Sequence, residues 1–337
     1  MKYVTLGKTG ITVNKNGFGA LPIQRVSMDE AVKILRRAYD GGVRFFDTAR
    51  FYTDSETKIG EALSDVRSDI FISTKSMALN AADFKEQLAT SLKELKTDYV
   101  DIMQFHNLPF CPVPGHESGL YEAMLEAKEE GKVRHIGITS HRVEIARQAI
   151  ESGLYETLQY PFSYIASPEE EKLVHLCAEH DMGFLCMKGM AGGLIKSGKA
   201  AYAYLAQFDN ALPIWGVQRM EEIEEFLACN TEDFEQGMTP ELEAIIAKDR
   251  EELSGDFCRS CGYCMPCPVG ISIKDCARMG LMLKRAPIPV YTTDEWKEEM
   301  HKIEKCIGCG QCKSRCPYGL DVPNLLKENL KQYQPYF

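Results

Sequence analysis

Residues 27–48 read SMDEAVKILRRAYDGGVRFFDT, and this stretch decides the fold. Ser27 followed three positions later by Glu30 forms a capping box, in which each side chain satisfies a backbone N–H that a helix start leaves without a partner. Behind it Met28, Ala31, Val32, Leu35, Ala38 and Tyr39 share one face at helical spacing, and Gly41-Gly42 closes the helix. The run that follows, Val43–Thr48, is β-rich. An amphipathic helix, a glycine stop and a short apolar strand are the repeating parts of a βα protein.

The alternation extends in both directions. Further β-rich runs lie at about Asn16–Leu21, Asp69–Thr74, Tyr99–His106, Val133–Thr139, Thr157–Tyr160, Met182–Met187 and Leu212–Val217, with helical patterns between them. One of those helices opens on Ser167-Pro168-Glu169-Glu170, an N-cap with proline at the first helical position. Eight strand candidates, each followed by a helix candidate, predict a closed (β/α)₈ barrel of the TIM type. No G-x-G-x-x-G follows the first strand, as an open dinucleotide-binding sheet would require. Gly7 and Gly10 punctuate a short hairpin over residues 1–14. The barrel is expected to fill residues 1–228, ending after a helix at Met220–Ala228. A connecting segment, 229–256, includes a polar stretch and a helix opening at Thr239-Pro240, and a second domain takes 257–337.

Bulk properties narrow the function classes. Of 337 residues, 45% are apolar and 26% charged, so a sizeable core can be buried. The net charge of -10 argues against a general nucleic-acid or anionic-membrane binder, which needs a basic face. The first residues lack a basic region followed by an apolar run, and no apolar stretch approaches a membrane span, so a cytoplasmic location is expected. In that compartment the thirteen cysteines are expected as core residues, metal ligands or catalysts rather than disulfides.

Polar residues gather where the strands run out: Asp47 and Tyr52 after the second, Lys75 after the third, His106 after the fourth. In a barrel these ends share the face that carries active sites. Carbonyl reduction by hydride needs a proton donor, and a phenol is a poor acid until a nearby cation stabilises the phenolate. Lys75 can be that cation, with Asp47 holding the ammonium and His106 orienting the substrate oxygen. Each residue also has a bland reading, as a cap, a packed aromatic, a solvated amine and a satisfied imidazole. The run Gly42-Val43-Arg44-Phe45-Phe46-Asp47-Thr48-Ala49, then Tyr52, Ser55-Glu56, Gly60 and Ala62-Leu63, resembles the aldo/keto reductase signature. Leu6–Gly10, the Lys75 and His106 strands and Gly131–Ile138 resemble the same family in the same order, so the likeness covers about residues 1–228.

The resemblance implies an Asp47, Tyr52, Lys75, His106 tetrad, with Tyr52 as general acid and base, and a nicotinamide dinucleotide extended across the barrel mouth. Thr139 and Ser140 match the family's pair on the carboxamide, and Gln159 its following glutamine. Met187 replaces the aromatic that usually stacks on nicotinamide, and Lys188 beside it could reach a phosphate. Gly19, Gly216, Gln218, Arg219, Glu222 and Glu225 complete the expected cofactor-binding set. Aligned on Ile223 and Glu225, the position of the family's 2′-phosphate arginine holds Glu222, while Phe226 stands where an asparagine usually approaches adenine. NAD(H) is therefore expected over NADP(H), the alternative being that Glu222 is solvated and Arg219 turns inward. The apolar loop Asn107–Glu117 reads equally as a substrate-pocket wall or a proline-pinned surface loop.

Nine cysteines lie between Cys258 and Cys316. Cys306-x₂-Cys309-x₂-Cys312-x₃-Cys316-Pro317 is the bacterial ferredoxin spacing, and Cys258-x₂-Cys261-x₂-Cys264-x₂-Cys267-Pro268 departs from it by one residue. Two four-iron four-sulfur clusters are expected, with the fourth ligand crossing between runs. One would take Cys258, Cys261, Cys264 and Cys316, the other Cys306, Cys309, Cys312 and Cys267. Zinc is the alternative, since C-x₂-C pairs also build zinc ribbons. Cys276 is expected as a packed thiol on a helix at Ser272–Leu283, and a further helix is expected at Asp294–Ile303. The whole chain resembles the subset of aldo/keto reductases with a small, mainly α-helical, ferredoxin-like C-terminal domain.

Three functions follow from the combination. One is a nicotinamide-dependent carbonyl/alcohol oxidoreductase whose clusters are structural or serve a redox partner protein. Another is an electron-transfer protein with a flavin recruited to the barrel, and the third a non-catalytic redox sensor or interaction protein.

Overall fold

The Ser27 capping box forms as read: the Ser27 hydroxyl accepts from the Glu30 amide and the Glu30 carboxylate accepts from the Ser27 amide. The same reciprocal pair forms at Ser167 and Glu170. In the computed structural model, which describes residues 2–229, 237–253, 257–285 and 287–337, the chain divides into two compact units. The first comprises Met1–Met190 and Ser197–Ile246, the second Ala191–Lys196 and Ala247–Phe337.

The first unit opens with an antiparallel hairpin, β1 (Tyr3–Thr5) on β2 (Thr12–Asn14). Eight parallel strands then close a barrel: β3 (Gly17–Gly19), β4 (Phe45–Asp47), β5 (Phe71–Ser76), β6 (Val100–His106), β7 (Val133–Thr139), β8 (Thr157–Pro161), β9 (Gly183–Met187) and β10 (Ala211–Gly216). β10 pairs back on β3, with Trp215 opposite Phe18 and Gly216 opposite Gly19. Helices α1 (Met28–Asp40), α2 (Ser55–Leu63), α3 (Ala81–Glu94), α4 (Leu120–Glu129), α5 (Val143–Ser152), α6 (Pro168–Glu179), α7 (Gly198–Leu205) and α8 (Met220–Cys229) follow the strands in turn. Each expected strand is found with its ends moved by at most two residues, and β7 matches its expected span. Among the described residues no helix is long and apolar enough to cross a membrane.

The hairpin fixes which barrel mouth is open. Its Val4, Leu6, Ile11 and Val13 pack with Phe45, Ile102 and Leu212, residues near the strand starts, and so plug the N-terminal end. Gly7 must be glycine there: its φ is +47°, and a Cβ would fall well inside contact distance of the Asp181 carbonyl. The C-terminal mouth is left for chemistry.

The polar stretch expected before Thr239 falls largely outside the described residues; the helix expected there is α9 (Pro240–Glu252). The second unit contains α10 (Ile273–Cys276), α11 (Met279–Arg285), α12 (Asp294–His301), α13 (Gln311–Ser314) and α14 (Val322–Tyr333). The helix expected at Ser272–Leu283 is broken in two at Ala277-Arg278. Asn329 of α14 clamps the break, its amide donating to the Ala277 carbonyl at 3.2 Å and its Oδ1 accepting from the Gly280 amide at 2.5 Å. A side chain thus supplies the partners that an unbroken helix would have found along its own axis. Cys276 is buried, its thiol reaching the Glu299 carbonyl, and burial pushes it up to about 12.

Candidate functional site

Side chains alternate along a strand, so residues two apart share a face. This brings Ser73 and Lys75 of β5 together, and Gln104 and His106 of β6. The register sets Asp47 beside Ser73, Lys75 beside Gln104 and His106 beside Thr139. Lys75 Nζ donates to Asp47 Oδ1 at 2.8 Å, to Asp47 Oδ2 at 2.7 Å and to the Thr48 carbonyl at 2.5 Å. Gln159 Nε2 donates to Asp47 Oδ2 at 3.2 Å, and Gln104 Nε2 donates to Ser73 Oγ and Gln159 Oε1, both at 2.7 Å. Burial drives the Asp47 carboxyl up and the Lys75 ammonium down, and each charge resists the neutralisation of the other. Such a pair gains little net stability over apolar packing, because desolvation consumes its Coulomb attraction, so its worth lies in what the charges do.

Tyr52 and His106 stand against that pair. Lys75 Nζ lies 5.3 Å from the Tyr52 ring centroid, and the Tyr52 and His106 rings meet edge to face with centroids 5.7 Å apart. Burial, reinforced by the charge of Lys75, holds His106 down at about 3, so the imidazole is neutral at ordinary pH. Its Nδ1 is buried without a hydrogen-bond partner among the described residues. An orphaned N–H is costlier than an orphaned lone pair, so the proton belongs on Nε2.

The remaining expected residues all lie at or near strand ends on the same mouth, but several are already engaged. Thr139 Oγ1 accepts from the Asn107 amide at 3.0 Å, while Ser140 Oγ accepts from the amide of Arg142, just ahead of α5, at 3.0 Å. Gln159 belongs to the Asp47 network described above. Gly19 and Gly216 stand opposite each other at the ends of β3 and β10, and a Cβ would meet the Trp215 carbonyl at 3.1 Å on Gly19 and Pro22 at 3.1 Å on Gly216. Met187 ends β9, and Lys188 follows with a left-handed φ of +60°. Glu222 Oε2 accepts from the amides of Gln218 at 2.8 Å and Arg219 at 3.1 Å, and its Oε1 accepts from Arg219 Nε at 3.0 Å and Nη2 at 2.8 Å. The chain's own carboxylate therefore fills the anion site at the start of α8. Glu225 faces the other way and accepts from the Gly198 amide that opens α7. Phe226 is buried against Trp215, centroids 4.3 Å apart, and its ring is not presented at the mouth. The Asn107–Glu117 loop is pinned: Cys111 is buried with its thiol on the Tyr155 hydroxyl, which donates to the Pro112 carbonyl, and Phe110 stacks on His116.

In the second unit the thiols of the two runs lie close together. One cavity is lined by Cys267, Cys306, Cys309 and Cys312, with Cys264 and Ile271 also at its wall, so the last cysteine of the first run stands among the thiols of the second. Burial pushes the Cys258 thiol up, and the charges it feels include Cys261, Arg278 and Cys316. Cys264 lies between the sets: burial raises it to about 12, and Cys258, Cys261 and Cys312 all act on it. Residues Ser260, Gly262, Gly308 and Gly310 have positive φ, the backbone turn that aims successive N–H groups at an anionic centre. Among the described residues no three His, Cys, Asp or Glu side chains converge as around a single metal ion, whereas a cubane asks each thiolate to bind a different iron. The donor set fits two four-iron clusters. Cys258, Cys264 and Cys312 are buried, while Cys306 and Cys309 are exposed.

Gln104 and Ser73 were not anticipated, although each lies two residues before an expected site residue on the same strand face, which was the available signal. Arg278 also escaped notice.

Residues 15–201 match the aldo/keto reductase family and residues 257–321 the 4Fe-4S dicluster domain. The chain is 33% identical over 174 residues to the L-galactose dehydrogenase of Arabidopsis thaliana, covering 47% of this chain and 54% of that protein. It is 28% identical over 229 residues to the aldo-keto reductase YhdN of Bacillus subtilis, covering 62% and 68%. Alignments with these curated relatives thus span about half to two thirds of their length. An aldo-keto reductase from Klebsiella pneumoniae solved in complex with NADPH superposes with a TM-score of 0.63 at 21% identity, covering 73% of this chain and 94% of that one. The holo aldo-keto reductase of Bacillus halodurans gives 0.63 at 22%, covering 74% and 96%. At such identities the likeness is one of fold. With an eight-stranded parallel barrel, a family match over more than half its length and a dicluster domain after it, the chain belongs to the aldo/keto reductase family.

Proposed function

We propose that the barrel interconverts small carbonyl compounds and alcohols with a nicotinamide cofactor, Tyr52 supplying and recovering the proton. The observation that carries this reading is the buried Lys75–Asp47 pair beneath the Tyr52 ring, with a neutral His106 at its edge. A bound nicotinamide would exchange hydride with the substrate carbon. Tyr52 would then pass its phenolic proton to the substrate oxygen, and the Lys75 ammonium would stabilise the phenolate left behind. Asp47 keeps Lys75 charged in a site where burial alone would discharge it. His106, protonated on Nε2, would donate a hydrogen bond to the substrate oxygen and fix its orientation.

Gly19 and Gly216, without side chains at the ends of β3 and β10, would let an extended dinucleotide approach the backbone, and Gln159 and Thr139 pair at the ends of their strands on the same mouth. Glu222 favours NADH: it occupies the amides and neutralises the guanidinium that an adenosine 2′-phosphate would need. Cys258, Cys261, Cys264 and Cys316 would hold one cluster and Cys306, Cys309, Cys312 and Cys267 the other, each supplying one-electron capacity. The test is Tyr52→Phe in anaerobically prepared protein. Carbonyl reduction should fall by about 10²–10⁴-fold with nicotinamide affinity changed by less than about threefold. Full turnover in that variant would refute the reading, and assays for iron, sulfide and bound flavin on the same preparation decide the cofactor set.

A further inference from the structure

Arg278 is 6% exposed, standing at the break between α10 and α11. Its Nη2 donates to the Gly192 carbonyl at 3.0 Å, and Gly192 has a left-handed φ of +64° with its missing Cβ only 3.1 Å from Arg278 Nη1, so a side chain there would crowd the guanidinium. Its Nε is fully buried and has no hydrogen-bond partner among the described residues. No carboxylate among the described residues lies within ion-pair distance: neighbouring Asp275 accepts from the Ser272 hydroxyl instead. A guanidinium does not discharge when buried, so a counter-charge must come from elsewhere. The Cys258 thiol reaches the Lys274 carbonyl on α10 at 3.9 Å, four residues before Arg278, and is the first charge that acts on the guanidinium. A four-iron cluster held by four thiolates is anionic, and reduction adds one more negative charge.

We propose that Arg278 is the buried counter-ion of the Cys258, Cys261, Cys264, Cys316 cluster, its unpartnered Nε–H donating to that cluster's sulfur and raising its reduction potential. Hydrogen bonds to sulfur and local charge are the protein's main controls on that potential. The first thiol set is more buried than the second, and a low-dielectric setting opposes the extra electron. Arg278 offsets that opposition and keeps the interior cluster reducible. The step is a one-electron uptake with no proton transferred, and Arg278 stays charged throughout.

The inference rests on the two-cluster reading, and the experiment separates the two. Full-length protein is loaded anaerobically, its iron and sulfide are counted, and both clusters are titrated with dithionite under electron paramagnetic resonance, Cys309→Ala identifying the signal of the second cluster. In Arg278→Gln the reduced fraction of the first cluster should fall at least tenfold at fixed potential, about 59 mV for one electron. The second cluster should move by less than twofold. Arg278→Lys keeps the charge but loses the Nε–H, and should shift the first cluster by two- to tenfold in the same direction; it decides the matter if the glutamine variant loads no first cluster. Loaded protein in which the first cluster's potential is unmoved in Arg278→Lys, or in which both clusters move equally, overturns the proposal. A wild-type chain without iron and sulfide overturns the cluster reading instead.

Discussion

Replacing Glu222 with glutamine tests how the barrel chooses its nicotinamide. Glu222 is 23% exposed and grips Arg219, which is 68% exposed, through both Nε and Nη2. The same carboxylate accepts the Gln218 and Arg219 amides, so a 2′-phosphate arriving at the start of α8 meets an anion site that is already filled. Two unit charges about 6 Å apart repel by about 3 kcal/mol at an effective dielectric near 20, and by less than about 1 kcal/mol in water. For a carboxylate with this exposure the intermediate value, about 1–2 kcal/mol, applies, or about five- to thirtyfold in affinity. Glu222→Gln removes that repulsion and frees Arg219, so NADPH should bind about five- to thirtyfold more tightly while NADH changes by less than about twofold. Fluorescence titration of both cofactors at low and high salt measures this, and the NADPH gain should shrink as salt screens the charges. An unchanged NADPH to NADH ratio, or tighter NADPH binding in the wild type, would show that Glu222 does not set the preference.

Two further outcomes follow from the site. Crossed ligation requires Cys316→Ala to disturb the cluster of Cys258, Cys261 and Cys264 more than that of Cys306, Cys309 and Cys312, and Mössbauer or resonance Raman spectra showing the reverse order would reject the crossing. His106 is held at about 3 in the fold against an ordinary 6.5, so the unfolded chain binds the extra proton and the barrel loses stability as pH falls from about 6.5 toward 3. The ceiling on that loss is about 5 kcal/mol at about 1.4 kcal/mol per pH unit. A fall in the barrel's thermal midpoint between pH 7 and pH 5 that is markedly smaller in His106→Gln is the expected result, and equal falls would remove His106 from the account.

The barrel was legible because its signals are local and periodic. The capping boxes at Ser27 and Ser167 are written within four residues each, and a strand end needs only the last polar residue of an apolar run to be located. That logic singled out Asp47, Lys75 and His106, whose strand ends the barrel brings to one mouth, and the cysteine spacing pointed to the two thiol sets. What stayed hidden depends on partners remote in sequence. The break in the expected Ser272–Leu283 helix is satisfied by Asn329, about fifty residues away, and nothing near Ala277 announces it. Glu222 was singled out in the sequence as a charge facing a 2′-phosphate, but that its side chain folds back on the amides of Gln218 and Arg219 was not readable there. Phe226, at the position where the family's asparagine usually approaches adenine, is held by stacking on Trp215.

The two halves of the chemistry differ in electron count, and that difference bears on what the clusters are for. In the proposed reaction Tyr52, Lys75 and Asp47 all belong to the barrel, so hydride exchange would ask nothing of the cysteines. A cluster moves one electron at a time and cannot accept a hydride, so any coupling between the two needs a converter or a partner that takes electrons singly. If the clusters only braced the fold, a buried guanidinium with an unpartnered N–H beside one thiol set would be a cost without a return. The exposed Cys306 and Cys309 of the other set would likewise place a bracing cluster where oxidants reach it most easily. Under the proposed ligation one set would hold charge in the interior and the other would meet solvent, an arrangement that favours our reading of single-electron traffic over bracing alone.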